Sequence, residues 1–296
     1  MKDQPRPLVL YHANCQDGWA AAWAAWTKLG DAADYQPANY GDDPPDVAGR
    51  DVYVLDFSWK RKHMLDMATV AKSLTCLDHH KTAEQELAGL EHPSFRCVFD
   101  MKKCGARLAW EYFRPGEPAP FLIDLVQDRD LWTWKLPESR ALNAWLGVQE
   151  RNFGRWTWIA GRLKAPVPKP GGVKFGKLMW PVSLEYDSDC RECVEQGQAI
   201  LTYQQEVINS HVRQATEREV AGHRVLVANV TTLVSEITGE LAQDRPFGAT
   251  YRDELGRGLR IWSLRSREGG IDVSEIARSM GGGGHKQAAG FQEVLT

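Results

Sequence analysis

The chain has 296 residues, 43% hydrophobic and 25% charged, with a formal net charge of -3. That balance reads as a soluble globular protein long enough for two domains, and it excludes binding by overall attraction to a polyanion, so local basic residues or metal must hold any such partner and small substrates are favoured over long duplexes. No apolar run approaches the length that spans a bilayer and the start, Met1-Lys2-Asp3-Gln4-Pro5, is not that of a signal peptide, so a cytoplasmic protein with no membrane partner is expected.

Leu8-Val9-Leu10-Tyr11 reads as a first strand, followed by His12-Ala13-Asn14-Cys15-Gln16-Asp17-Gly18. Trp19, Trp23 and Trp26 then recur at helical spacing in an alanine-rich stretch, a pattern that favours a packed helix over a base-stacking platform. After the loop Asp42 to Asp46, a second strand, Val52-Tyr53-Val54-Leu55, delivers Asp56, and Lys60 to Val70 reads as a crossover helix. A third strand, Ser73 to Leu77, delivers Asp78-His79-His80. The alternation over residues 8 to 80 predicts a parallel sheet with crossover helices.

Phe95 to Phe99 predicts a further strand, and Cys104 to Phe113 an amphipathic helix closed by Pro115-Gly116. Another helix, from about Ala119, runs into Gln127-Asp128-Arg129-Asp130, where two carboxylates flank an arginine. Leu142 to Tyr186 is aromatic and basic, interrupted by Pro166, Pro168, Pro170, Gly171 and Gly172, and reads as irregular covering structure. Arg191 to Glu217 predicts a long helical connector; at its start Cys190 and Cys193, in a helical pattern, read as an incidental pair rather than half of a zinc or redox site, and all six cysteines are expected to be reduced. From Gly222 the chain becomes strand-rich, at His223 to Val230, Phe247 to Tyr251 and Leu259 to Leu264, with a helix at Val273 to Ser279. That is a smaller α+β domain.

Three strand exits thus present metal-competent side chains: His12 and Asp17, Asp56, and Asp78-His79-His80. Any one of them is explained as a turn or a cap; three together are not. Imidazole and carboxylate suit first-row divalent ions, and open α/β sheets bind ligands at the carboxyl ends of their strands. Near the C-terminus, Gly281-Gly282-Gly283-Gly284-His285-Lys286 reads as a loop whose backbone amides could cradle a phosphate, and Arg265-Ser266 ends a strand with a guanidinium and a hydroxyl suited to the same ligand.

In order and spacing these motifs resemble the DHH phosphoesterase superfamily, which includes RecJ-type exonucleases, nano-RNases that dephosphorylate 3',5'-bisphosphorylated adenosine, cyclic dinucleotide phosphodiesterases and inorganic pyrophosphatases. The resemblance implies an α/β fold with a parallel-sheet catalytic domain (1–188), a helical connector (189–220) and a smaller α+β DHH-associated domain that binds substrate (221–296). It implies two Mn²⁺ ions, with Mg²⁺ or another divalent ion as alternatives, held by His12, Asp17, Asp56, His79 and Asp128. Asp56 would bridge the two, and Asp130 is the alternative to Asp128. Asp78 would support the site and His80 would face the substrate phosphate, while Arg265, Ser266, Gly283, Gly284 and His285 would hold the substrate across a cleft between domains. Cys15 stands where many relatives carry a carboxylate. The function implied is metal-dependent hydrolysis of nucleotides or short single-stranded oligonucleotides, as a phosphodiesterase, exonuclease or phosphatase. The alternatives are hydrolysis of polyphosphate or pyrophosphate, and a non-catalytic nucleic-acid-binding scaffold.

Overall fold

The strands β1 (Leu8–His12), β2 (Asp34–Ala38), β3 (Asp51–Leu55), β4 (Ser73–Asp78) and β5 (Phe95–Phe99) form one parallel sheet in the order β2-β1-β3-β4-β5. The computed structural model describes residues 5–168, 174–175, 178–179, 184–185 and 187–295. In register, Leu10 lies beside Val54, Val54 beside Cys76 and Cys76 beside Cys97; of these four, only Cys97 is exposed. Near-continuous apolar runs are what a parallel sheet covered on both faces requires. Strand order reverses between β1 and β3, so the exits of these two strands flank the position where open α/β sheets bind ligands.

Helices α1 (Gln16–Leu29), α2 (Arg61–Val70), α3 (Lys81–Leu87), α4 (Gly105–Phe113), α5 (Phe121–Asp130), α6 (Ser139–Gly147) and α7 (Phe153–Arg162) follow these strands. Trp19 and Trp23 of α1 are buried as expected, packed with Trp110 and Phe113 of α4 and Trp156 of α7. Each fully buried apolar side chain of this size contributes about 1.5–3 kcal/mol.

Two features differ from the sequence expectation. β2 lacks an apolar run and contains Pro37, and it forms at the sheet edge, where a missing N–H donor is tolerated. Residues 142–147 and 153–162 are helical rather than irregular: Leu142, Trp145 and Leu146, then Trp156 and Ile159, are buried at helical spacing, and the breaking prolines come only afterwards. Beyond them, the two-residue strands β6 (Val167–Pro168) and β9 (Leu184–Glu185) pair, as do β7 (Lys174–Phe175) and β8 (Leu178–Met179). Pro170, Gly171 and Gly172 lie outside the described residues, as do 169, 173, 176 and 177 of the basic segment 164–177.

The chain divides into two compact units, one of residues up to His79 and Glu91–Leu201, the other of His80–Leu90 and Thr202 onward. Helix α8 (Ser188–Gln214) gives residues to both. It ends three residues before the expected Glu217, because Thr216 and Glu217 already pair in β10. In the second unit β10 (Thr216–Val220), β11 (His223–Asn229), β12 (Gly248–Glu254), β13 (Leu259–Arg265), β14 (Gly283–His285) and β15 (Ala288–Val294) form a mixed sheet in the order β10-β11-β12-β13-β15-β14. Only β11 and β12 run parallel in it. Helices α9 (Val234–Leu241), α10 (Val273–Ser279) and α3 pack on it, giving the α+β character expected. Among the described residues no helix is long and apolar enough to cross a membrane.

Candidate metal centre

Asp56 follows β3 directly and adopts a left-handed backbone (φ 65°), which costs of order 1–3 kcal/mol and is tolerated better by Asp than by most residues. Its N–H donates to the Leu77 carbonyl of β4 (2.9 Å), and its carboxylate is buried. The two oxygens face different imidazoles: Oδ1 lies 3.0 Å from His79 Nε2 and Oδ2 lies 3.5 Å from His12 Nδ1. His79 leaves β4 with its N–H donated to Asp78 Oδ1 (2.7 Å), so the fully buried Asp78 fixes the backbone that aims the ring. Asp17, in the first turn of α1, accepts from the N–H groups of Gly105 (2.6 Å) and Ala106 (2.8 Å) at the start of α4. The positive end of that helix dipole offsets part of the cost of burying a carboxylate.

Asp17 Oδ2 and Asp130 Oδ2 each lie 3.6 Å from the same His79 Nε2. Three carboxylates therefore converge on one ring nitrogen that can offer one proton. Burial first, then Asp56 and Asp130, push the Asp17 carboxyl well above the usual range. For Asp56 burial also acts upward, but hydrogen bonds and charge from His12 and His79 outweigh it and hold the carboxyl well below. His79 is raised well above its ordinary value: burial opposes this, and Asp130, Asp56 and Asp17 prevail. Three carboxylates against two imidazoles leave the cluster short of positive charge, which a divalent cation bound there would supply.

The donor set fits such an ion. Asp17, Asp56 and His79 offer ligand atoms within 4.8 Å of one another, as do His12, Cys15 and Asp56. Asp56 belongs to both groups. Cys15, the N-cap of α1, has its thiol pushed well above the ordinary value by burial and by the carboxylates Asp56, Asp130 and Asp17. A protonated thiol is a poor partner for an ion that prefers oxygen and nitrogen, so the second group is the weaker of the two.

Of the two carboxylates at the end of α5, the structure brings Asp130, not Asp128, to His79. Asp128 is turned the other way: Oδ1 accepts from Thr133 Oγ1 (2.5 Å) and the Lys135 N–H (2.8 Å), and Oδ2 from the Leu136 N–H (3.2 Å). Its carboxyl is held below the usual range, the effect of burial being outweighed by these bonds and one from Ser139. Asp130→Asn is expected to weaken Mn²⁺ binding and turnover by at least about tenfold, with the metal-free melting temperature unchanged. Asp128→Asn is expected to lower that temperature by about 2–10 °C. Calorimetric titration beside thermal unfolding checks both, and the opposite pattern would assign the ligand role to Asp128.

The backbone that Asp128 clamps is strained. Trp132 (φ 56°) and Trp134 (φ 50°) are both left-handed, a genuine outlier for bulky side chains, and Asp128 O accepts from the N–H groups of Thr133 (2.9 Å) and Trp134 (3.4 Å). Their rings meet edge-on at 5.1 Å; Arg140 lies over Trp134 at 4.5 Å, and Trp132 is 46% exposed.

Other contributors carry weak sequence signals. A Cβ on Gly105 would lie 2.5 Å from Asp56 Cβ, and one on Gly18 would lie 2.3 Å from His12 O, so both glycines are required for helices α4 and α1 to approach the strand exits. The Tyr40 ring meets His12 edge-on at 5.3 Å. Gln16 donates to Asn143 (3.0 Å) and accepts from Arg129 (3.1 Å), bracing the start of α1 against α5 and α6. Cys190 and Cys193 of α8 are packed in the hydrophobic core of the first unit, and burial pushes the Cys190 thiol up to about 12.

The second unit gathers the other sequence-predicted residues differently. His80 stacks on His285 (4.5 Å, 20°). Gly283 and Gly284 are not an open amide nest; they form edge strand β14 against β15, and the Gly284 N–H donates to Thr82 Oγ1 (2.9 Å). These glycines answer close packing, since a Cβ on Gly283 would lie 2.5 Å from Thr82 Oγ1 and one on Gly284 2.5 Å from Ala288 O. Arg265 donates to Ser235 Oγ (2.8 Å) and to the Leu264 carbonyl (2.9 Å). The Ser266 N–H donates to Gln287 O (3.1 Å), and its hydroxyl is buried without a hydrogen bond among the described residues.

No family model matches the chain. An uncharacterized protein of Acanthamoeba polyphaga mimivirus is 29% identical over an alignment covering 98% of this chain and 68% of that protein. Among solved structures, a pGpG-specific phosphodiesterase from Vibrio cholerae aligns at 13% identity and a TM-score of 0.46, covering 98% of this chain and 94% of the other. An exopolyphosphatase-related protein from Bacteroides fragilis aligns at 11% identity and a TM-score of 0.45, covering 97% and 86%.

Proposed function

We propose that this chain is a metal-dependent phosphohydrolase of the DHH superfamily, acting on nucleotides or short single-stranded oligonucleotides. The observation that carries this reading is the convergence of Asp17, Asp56 and Asp130 on His79 Nε2, with His12 on the other oxygen of Asp56. Asp17, Asp56, His79 and Asp130 would hold one Mn²⁺ ion, and His12 and Asp56 a second. Bound there, a pair of divalent ions supplies an activated water at neutral pH and neutralises charge on phosphate oxygens. The protein contributes position. Asp56 divides its oxygens between two imidazoles, the start of α4 holds Asp17 in place, and Asp78 fixes His79 through its N–H. No side chain is needed as nucleophile. His80 is assigned to the substrate phosphate, and Arg265, Ser266, Gly283, Gly284 and His285 to substrate binding, with Gly284 acting through the fold because its N–H is used by Thr82.

A panel of short RNA, short DNA, cyclic dinucleotides, bisphosphorylated nucleosides, pyrophosphate and polyphosphate, each assayed with Mn²⁺, tests this reading. Hydrolysis of at least one nucleotide substrate, lost on chelation, is expected. Phosphate release from pyrophosphate or polyphosphate alone would transfer the chain to the inorganic-phosphate reading, and absence of both divalent binding and turnover would favour a non-catalytic scaffold.

A further inference from the structure

We propose that the exposed ring of Trp132 is a nucleobase-stacking subsite beside the metal centre. This rests on the nucleotide reading above and adds a substrate contact within the first unit. Trp132 stands two residues from Asp130, so its Cα lies within about 7 Å of that of a residue reaching His79. Trp132 is 46% exposed, and it and Trp134 both occupy the left-handed region. Strain of this kind persists only where surrounding structure over-determines it, and here the surrounding structure is identifiable. Asp128 takes Thr133 Oγ1 and the Lys135 and Leu136 N–H groups on its carboxylate, and the Thr133 and Trp134 N–H groups on its carbonyl. Trp134, capped by Arg140, meets Trp132 edge-on at 5.1 Å.

The chemistry of the patch selects the occupant. An indole face stacks on any base, and cations nearby suit a phosphodiester backbone; Lys135 and Arg140, both exposed, provide them. Subsites of this kind tolerate sequence, so the ligand is a short single-stranded oligonucleotide with little base preference. The strain also gives Asp128 a task distinct from metal binding: it holds the aromatic loop.

Fluorescence anisotropy of a dye-labelled trinucleotide, titrated with wild type, Trp132→Ala and Trp132→Phe, tests the proposal, with an abasic phosphodiester of the same length as competitor. Stacking of one base predicts that Trp132→Ala binds the trinucleotide about five- to hundredfold more weakly, that Trp132→Phe recovers most of the loss, and that the abasic competitor binds wild type and Trp132→Ala alike. Unchanged trinucleotide affinity in Trp132→Ala overturns the proposal and leaves the nucleotide reading intact. Equal weakening of the abasic ligand overturns stacking in favour of a general effect on the loop. A wild type that binds no oligonucleotide overturns the proposal, and if it also hydrolyses only polyphosphate it overturns the function as well. Sedimentation of the same proteins reads the other occupant: a dimer lost in Trp132→Ala assigns the ring to a second copy of the chain and overturns the proposal.

Discussion

Asp56→Asn is expected to lower turnover by more than about a hundredfold, beyond the loss typical of residues that only support metal ligands. The reasoning starts from the two oxygens of Asp56, one 3.0 Å from His79 and the other 3.5 Å from His12. Among the described residues, Asp56 is the side chain that joins the group of Asp17 and His79 to that of His12 and Cys15. Asparagine keeps the shape and tolerates the left-handed backbone that Asp56 adopts, so the fold has no steric reason to fail. The change also removes the charge that His12 and His79 stabilise, so the metal-free melting temperature should fall by several degrees while His79 keeps Asp17 and Asp130. What disappears is the rise in melting temperature on adding Mn²⁺, because a ligand stabilises only in proportion to its binding. Thermal unfolding with and without Mn²⁺, beside a turnover assay, reads both effects. Turnover within tenfold of wild type would remove Asp56 from the centre of the site.

Gly105→Ala is expected to damage the same site from outside it. The added carbon would lie 2.5 Å from Asp56 Cβ and 2.8 Å from Oδ1, distances that real Cβ atoms do not occupy. Neither partner yields easily. The Asp56 N–H is tied to Leu77, and the Gly105 N–H is tied to Asp17. Overpacking of this kind costs about 1–3 kcal/mol, which in a domain of this size lowers the melting temperature by about 2–12 °C. Because the displaced group is Asp56, Mn²⁺ binding should fall together with stability. Gly161→Ala is the control: nothing lies within 4 Å of its added carbon in α7, so it should be neutral or slightly stabilising. Equal melting temperatures and equal Mn²⁺ titrations for Gly105→Ala and wild type would show that α4 does not approach Asp56 as closely as described.

Much of the framework was legible in the sequence because burial leaves a periodic trace. Leu8 to Tyr11, Val52 to Leu55 and Ser73 to Leu77 are apolar runs of strand length, and each ends in residues capable of holding a metal. Composition hid β2, whose polar run and proline carry no strand signal, and it hid α6 and α7, whose helical spacing was masked by the prolines that follow them. It was ambiguous at the C-terminal glycines, since a run of glycine signals close backbone approach equally well when the approaching group is a phosphate or a neighbouring strand. Here β15 and Thr82 are the neighbours.

The sequence by itself determined the chemistry on offer: imidazoles and carboxylates at the exits of three apolar strands, β1, β3 and β4, and a connectivity that makes those strands parallel. Only the tertiary structure decided which carboxylate of α5 lies beside His79. Asp128 and Asp130 are two residues apart, hence about 200° apart around a helix, so they point to nearly opposite sides. Which side meets His79 depends on the rotation of α5 about its axis, and that is set by burying Leu122, Ile123, Leu125 and Val126 in a core shared with α1 and α4. Periodicity names the buried face of a helix, but the neighbour across from a polar residue is known only once the helices have packed.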